Sequence, residues 1–320
     1  MAKTEEIKEM ITQHELKHKT TPTNQFVTKQ TISEPTKTIT VSQSKNNEIE
    51  EMKQQHQKQL EEKIKQIEEF EKKLQIQQQS KPTKQKQGKK ISLLIGNSNY
   101  TNCGILSNPI QDVQLIEKQL KQIGFETIIV YDLKEKKDFR KVINEFVTKL
   151  NGIGNELECC LFYYAGHGIS SKERNYLIPT TVDLQIETDI EDDCVNLNCL
   201  MFKLSEASSS TSVNIIIIDA CKSDLKLKST NIHDMKQGLV TMSVPTNSFV
   251  LLSTAPGTKS IDRCEESRNN SPFAFTLSKE LKPDIELYDV FLNVSSQVEI
   301  LTRKMQNPFV SSSLKSKFYL

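Results

Sequence analysis

Two short apolar runs, each ending in a chemically reactive side chain, constrain the fold of this chain more than any other feature. They are Tyr163–Gly168, which contains His167 between two glycines, and Ile215–Cys221, in which four isoleucines precede Asp-Ala-Cys. Continuous apolar runs are typical of strands buried in a parallel sheet, and reactive groups gather beyond the carboxyl ends of such strands. We therefore expect His167 and Cys221 to lie at the ends of two strands of one sheet.

The pairing of an imidazole with a thiol predicts nucleophilic catalysis. A thiol becomes a strong nucleophile when a base within about 3 Å takes its proton, whatever their separation in sequence. Outside the first 90 residues the only histidines are His167 and His233, and His233 lies in a polar stretch. A free cysteine is more often a small buried apolar residue, but that interpretation suits Cys159 and Cys160, inside an apolar run, better than Cys221. We predict His167 as general base and Cys221 as nucleophile.

The first 90 residues differ in composition from the rest of the chain. They contain no Tyr and only two Phe, and they are rich in Lys, Glu and Gln. So few core-forming residues cannot offset an ordering entropy of about 1–2 kcal/mol per residue. We predict a disordered tail over residues 1–45, a coiled coil over 46–80, a basic linker over 81–90 and one globular domain over 91–320.

The coiled-coil prediction depends on a heptad-like spacing of apolar positions from Ile49 to Leu74, interrupted by His56. Gaps of three and four residues over about four heptads are the pattern that pairs helices. A single solvated charged helix explains the same pattern, and the sequence leaves both interpretations open.

Charge and cysteine content narrow the class of protein. The formal net charge is +1, and the seven cysteines are an odd number without paired Cys-x-x-Cys spacing. No apolar stretch is long enough for a transmembrane helix, and none follows the first residues as a secretory signal requires. We expect reduced thiols, a cytoplasmic location, no cofactor, and neither a membrane nor a nucleic-acid partner.

Beyond residue 90, strand-like and helix-like patterns alternate. Predicted strands cover residues 91–95, 127–131, 159–164, 213–218 and 249–252, with a terminal strand near Phe318. Predicted helices cover 109–123, 136–150, 197–205, 273–281 and 287–305, and Asn108 is the expected N-cap of the first. Such alternation predicts an α/β domain with one mainly parallel sheet of about six strands and helices on both faces.

Eight segments in this region resemble the caspase-like cysteine peptidases of the paracaspase and orthocaspase type and, more distantly, the metacaspases. They are LLIGNSNY (93–100), NPIQDV (108–113), FYYAGHG (162–168), NYLIP (175–179), IIDAC (217–221), STAPGT (253–258), NSPF (270–273) and SSSL (311–314). The resemblance covers about residues 90–320, and the histidine of caspases also lies about 50 residues upstream of the cysteine. It implies a caspase-like sandwich, with Cys221 as nucleophile, His167 as base, and the N–H groups of Gly168 and Cys221 as the oxyanion hole.

The residue two before the nucleophile indicates the substrate. Caspases that cut after aspartate have glutamine at this position, which belongs to the substrate pocket, whereas this chain has a carboxylate there, Asp219. The resemblance nominates Asp112 as a second pocket acid, although a carboxylate at a helix start also suits the macrodipole. We therefore predict cleavage of protein substrates after Arg or Lys, with the choice between them open. A further acid of animal paracaspases aligns with Lys259, so it is missing or is replaced by Asp262 or Glu265.

Several properties stay open at the level of sequence. Metacaspases are activated by calcium, for which this chain offers a run of carboxylates that equally suits a solvated acidic loop: Asp183, Asp189, Glu191, Asp192 and Asp193. Lysines after Cys221 and in the 81–90 linker offer sites for self-cleavage. A homodimer is a further expectation, because paracaspase-like domains pair through the terminal strand, whereas metacaspases tend to stay single. The alternative function is an inactive caspase-like scaffold whose tail binds partners.

Overall fold

The computed structural model describes residues 53–59, 61–65, 88–222, 239–258 and 260–320, with the backbone alone for Cys221 and Lys222. The chain divides into two compact units, Met1–Thr83 and Lys84–Leu320. In the first unit, residues 53–59 and 61–65 are helical, in the middle of the segment for which a coiled coil is predicted. The predictions for residues 1–45 and 81–87 lie outside the described residues, and the pairing of helices from two chains stays a prediction.

The second unit alternates strands and helices. Its first half contains β1 (Lys89–Gly96), α1 (Pro109–Gln122), β2 (Phe125–Tyr131), α2 (Lys136–Ile153), a 3-10 turn (Gly154–Glu156), β3 (Leu157–Ser171) and β4 (Arg174–Leu177). Its second half contains α3 (Glu187–Asp193), β5 (Val195–Asn196), α4 (Leu197–Ala207), β6 (Val213–Lys222), β7 (Ser248–Leu252), α5 (Pro272–Glu280), α6 (Leu287–Leu301) and β8 (Phe309–Ser312). β1 thus begins two residues inside the segment interpreted as a linker.

These strands form one sheet, in which β2, β1, β3, β6, β7 and β8 lie side by side in that order. The first five of these strands are mutually parallel, and β8 pairs antiparallel with β7. β4 pairs antiparallel with β3, and β5 pairs with β4. The predicted α/β architecture with a mainly parallel sheet is therefore confirmed, and β4 and β5 are additions that the sequence pattern did not reveal.

The core lies on both faces of the sheet. Alternate residues of each strand face opposite sides, so Ile216 and Ile218 of β6 join one cluster while Ile215 and Ile217 join the other. Helices α2 and α4 cover the first face, and α1, α5 and α6 cover the second. Each fully buried side chain of this kind stabilises the fold by roughly 1.5–3 kcal/mol. Among the described helices, none has the length and apolar composition needed to cross a membrane.

Three details differ from the sequence prediction. The terminal strand is Phe309–Ser312, because this segment pairs with the outer edge of β7, whereas Phe318 packs on the core and Tyr319 forms only an isolated bridge with Glu286. Helix α6 ends at Leu301 rather than at residue 305. Asn108 precedes α1, but its side chain makes no cap and donates instead to the carbonyl of Asp262.

Candidate active site

The register between β3 and β6 brings the two predicted catalytic residues together. His167 pairs with Cys221 across these parallel strands, and Ala165 pairs with Asp219. Both residues were expected at strand ends, but both lie inside their strands. β3 runs on to Ser171 because its last residues pair with β4, and the ladder with β6 continues to the pair of Gly168 with Lys222. The backbone thus places histidine and cysteine side by side at one edge of the sheet.

The imidazole of His167 is buried, with 4% of its surface exposed, and its Nε2 lies 2.7 Å from the carbonyl oxygen of Gly104. A carbonyl oxygen only accepts hydrogen bonds, so Nε2 must carry a proton. In the neutral ring, this contact leaves Nδ1 as the nitrogen with the lone pair. The contact therefore selects the tautomer in which Nδ1 is the basic atom.

Two tyrosines hold the backbone of His167. The N–H of His167 donates to Tyr100 Oη at 2.7 Å, and Tyr164 Oη donates to the carbonyl of His167 at 2.8 Å. The ring of Tyr100 also lies against the imidazole, with 4.4 Å between the ring centroids. Backbone and side chain of the candidate base are therefore both fixed by named contacts.

The glycines on either side of His167 have a structural reason that the sequence did not reveal. A Cβ at Gly166 would lie 2.6 Å from Tyr164 Oη and 2.7 Å from Tyr100 Oη. A Cβ at Gly168 would lie 2.9 Å from Ala220 Cβ. Atoms of the protein itself therefore occupy the space that a side chain would need at either position.

The two predicted pocket acids, Asp112 and Asp219, lie together although they are distant in sequence. Ser271 connects them, because its N–H donates to Asp112 Oδ1 at 3.0 Å and its Oγ donates to Asp219 Oδ2 at 2.5 Å. Asn270 Nδ2 gives Asp112 Oδ1 a second hydrogen bond at 2.8 Å. Only 2% of Asp112 and 3% of Asp219 is exposed. The structure thus brings two buried carboxyl groups into one acidic cluster.

Because Asp112 and Asp219 are buried, the ionised forms of their carboxyl groups are unfavourable. Burial raises the pKa of Asp219 to about 6, an effect that hydrogen bonds from Ser271 and Ser253 oppose and the charge of Asp262 reinforces. Burial and the charge of Asp219 also raise the pKa of Asp112 well above its usual value. A cation bound beside the pair would relieve both effects, because an opposite charge favours the ionised form.

Asp262 is one of the two residues considered as a replacement for the third pocket acid. The negative charge of Asp262 raises the pKa of both Asp112 and Asp219, so Asp262 lies near the pair. Asn108 holds the carbonyl of Asp262, and Gln306 Oε1 accepts from the N–H of the preceding residue, Ile261, at 2.9 Å. Lys259 lies outside the described residues.

The acidic segment considered for calcium is largely the short helix α3. The carboxylate of Asp189 accepts from the N–H groups of Gln185 and Ile186 at 2.8 and 2.9 Å, and Asp183 accepts from the Gln185 side chain. In the part of the chain that the structure describes, no three potential metal ligands converge. Calcium activation stays an untested expectation.

Several residues of the site were not singled out from the sequence. Tyr100, Asn270 and Ser271 lie in two of the segments that carry the resemblance, LLIGNSNY and NSPF, which was the available signal. Gly104 acts through its backbone carbonyl, so its side chain gave no signal. The role of Gly168 and Cys221 as oxyanion hole stays a prediction.

The sequence is also similar to known proteins. The family model of the caspase domain matches residues 89–319. Mucosa-associated lymphoid tissue lymphoma translocation protein 1 of Homo sapiens is 25% identical over 231 residues, which are 71% of this chain and 26% of the human protein. The homolog from Mus musculus is 24% identical over the same shares of the two chains. The similarity thus spans about a quarter of the length of these relatives.

Proposed function

Because the chain belongs to the caspase-like peptidase family, in its paracaspase type, we propose that it is a cysteine endopeptidase that cleaves proteins after Arg or Lys. The observation that carries the proposal is the register pairing of His167 with Cys221 beside the buried pair Asp112 and Asp219. In it, Cys221 is the nucleophile and His167 the general base.

The tautomer of His167 suits this role. Nδ1 takes the proton of the Cys221 thiol, the thiolate attacks the carbonyl carbon of the scissile bond, and the carbonyl oxygen becomes an anion. The N–H groups of Gly168 and Cys221 would stabilise that anion. The imidazolium then gives its proton to the amine as the C–N bond breaks, which leaves a thioester between Cys221 and the substrate carbonyl. Water hydrolyses this thioester and releases the carboxylic acid and the Cys221 thiol. Gly104 keeps the Nε2 proton engaged throughout, so that the two ring nitrogens have separate tasks.

The acidic cluster explains the proposed specificity. Burial makes the ionised forms of both carboxyl groups unfavourable while the pocket is empty, and a substrate cation compensates their negative charge. An aspartate side chain would add a third buried negative charge beside them, which is strongly unfavourable. The pocket therefore favours Arg or Lys and excludes Asp, the residue that caspases of the opposite pocket charge accept.

The test is hydrolysis of reporter peptides that end in Arg, Lys or Asp before the leaving group, by the full chain and by Cys221→Ala. Cys199→Ala is the matched control, because Cys199 is an exposed cysteine on α4. We expect hydrolysis after Arg or Lys by the wild type and the control, and none by Cys221→Ala. Lack of turnover of every peptide, with or without calcium, would favour the non-catalytic scaffold. Hydrolysis after Asp alone would contradict the proposed pocket.

A further inference from the structure

We propose that Tyr100 and Tyr164 are positioning residues that hold His167 in its active orientation, an inference that rests on the proposed function. Their hydroxyls form hydrogen bonds with both backbone polar groups of His167. Tyr100 Oη accepts from the His167 N–H at 2.7 Å, and Tyr164 Oη donates to the His167 carbonyl at 2.8 Å. The two hydroxyl oxygens lie 3.2 Å apart. Together they form a clamp on the His167 backbone.

The protons of the clamp can be assigned. A phenol has one proton, and that of Tyr164 goes to the His167 carbonyl, its shortest contact. Tyr100 accepts from His167, so its own proton goes to Tyr164 Oη at 3.2 Å or to the carbonyl of Ile178 at 3.3 Å. Burial raises the pKa of both phenols above its usual value, so the hydroxyls stay protonated and the clamp persists at neutral and mildly alkaline pH.

One loop supplies two contacts to the imidazole. Tyr100 packs its ring on the imidazole at a centroid distance of 4.4 Å, and Gly104, four residues later, accepts from Nε2 at 2.7 Å. The loop is itself anchored, because the N–H of Ser98 donates to Asp132 at 2.8 Å and the N–H of Thr101 donates to the carbonyl of Thr180 at 2.9 Å. A shift of Tyr100 would therefore disturb both the imidazole ring and the backbone of His167.

The clamp leaves room only for glycine at position 166. The missing Cβ of Gly166 leaves the space in which the two hydroxyls meet, 2.6 and 2.7 Å from where a Cβ would be. Real Cβ atoms almost never approach other atoms so closely. Glycine at this position is therefore required for both phenols to reach His167.

The variant that tests the clamp is Tyr100→Phe, which keeps the aromatic ring and removes the hydroxyl. Tyr131→Phe is the matched control, because Tyr131 is a partly buried tyrosine of β2 that packs against the core. We expect Tyr100→Phe to lower kcat for the favoured basic peptide by about ten- to a hundredfold with KM unchanged, because small misplacements of a reacting group cost this much. Tyr131→Phe should leave both constants unchanged.

A second measurement needs no turnover. The chain has five histidines, so the ring nitrogens of His167 can be assigned by NMR with His167→Ala as reference. In the full chain with Cys221→Ala at pH 8, we expect the Nε2–H tautomer to dominate, and Tyr100→Phe to shift it towards a mixture. An inactive wild type would contradict the proposed function, but the tautomer would still test the clamp. If Tyr100→Phe fails to fold, Tyr164→Phe takes its place with the same expectations. Unchanged kcat together with an unchanged tautomer would overturn the inference, as would an unchanged tautomer in an inactive chain.

Discussion

Replacing Asp219 by asparagine should stabilise the domain while it impairs the proposed activity. Burial raises the pKa of Asp219 from 3.8 to about 6, so the folded state holds a proton that the unfolded state has lost between these two pH values. Stability therefore falls as pH rises through this window. Above about pH 6 the buried charge of Asp219 destabilises the folded state by its full amount. At about 1.36 kcal/mol per pKa unit, the penalty is on the order of 3 kcal/mol.

Asparagine removes the charge and keeps an oxygen that can accept from Ser271 Oγ, which now lies 2.5 Å from Asp219 Oδ2. The free energy of unfolding in urea, followed by circular dichroism because the chain has no Trp, should rise by up to about 3 kcal/mol at pH 7.5. Below about pH 4 it should equal that of the wild type. Asp192→Asn, at an exposed position of α3, is the control and should show no such difference.

The same variant should lower kcat/KM for the favoured basic peptide by about ten- to a hundredfold, because a hydrogen bond to a charged group contributes about 1.5–3 kcal/mol. Equal stability of Asp219→Asn and wild type at pH 7.5 would show that burial of this charge costs nothing. Unchanged kcat/KM would show that Asp219 does not meet the substrate cation. Either result would refute this explanation of the pocket.

Three further predictions concern the surroundings of the site. Gly166→Ala should lower the free energy of unfolding by about 1–3 kcal/mol in urea titrations, because its Cβ collides with two hydroxyls. Gly152→Ala is the control, since no atom lies within 4 Å of the Cβ position at Gly152, and an equal loss in both variants would contradict the steric argument. Ser271→Ala removes the N-cap of α5 and the donor to Asp219, so it should destabilise the domain by about 0.5–2 kcal/mol and raise KM for basic peptides. Ser278→Ala, within the same helix, is the control and should leave KM unchanged. An unchanged KM in Ser271→Ala would show that Ser271 does not influence substrate binding in the pocket. If the lysines after Cys221 are cleavage sites, intact mass after incubation should show fragments of the wild type and none of Cys221→Ala, and identical masses would dismiss self-processing.

The sequence predicted those features that depend on local patterns. The apolar spacing of α1 and α2 indicates which side chains reach the core, and the continuous apolar runs of β3 and β6 indicate central strands. The residues before and after His167 and Cys221, the predicted catalytic pair, could be aligned with a family because they lie in compact motifs. Asp112 and Asp219 were nominated in this way, and they lie together in the structure.

The features that sequence reasoning missed depend on contacts between distant segments. Gly104 contributes a backbone carbonyl, which any residue type could supply. Ser271 connects two acids that are far from it in sequence, and the short strands β4 and β5 contain too few residues for a periodic pattern. Phe309 and Phe318 both lie near apolar neighbours, and only the free edge of β7 decides which of them forms the last strand.

The most direct test of the central claim is covalent labelling of the full chain by a peptide that ends in arginine and carries a thiol-reactive ketone. Burial raises the pKa of four of the described thiols, Cys103 to about 11, Cys160 and Cys194 to about 12, and Cys159 well above its usual value. These four thiols therefore compete poorly at pH 7.5. Mass spectrometry should find one adduct, on Cys221, in the wild type, and little in His167→Ala or with an aspartate-ending probe. Labelling spread over other cysteines, or equal labelling in His167→Ala, would contradict a nucleophile activated by His167 beside an acidic pocket.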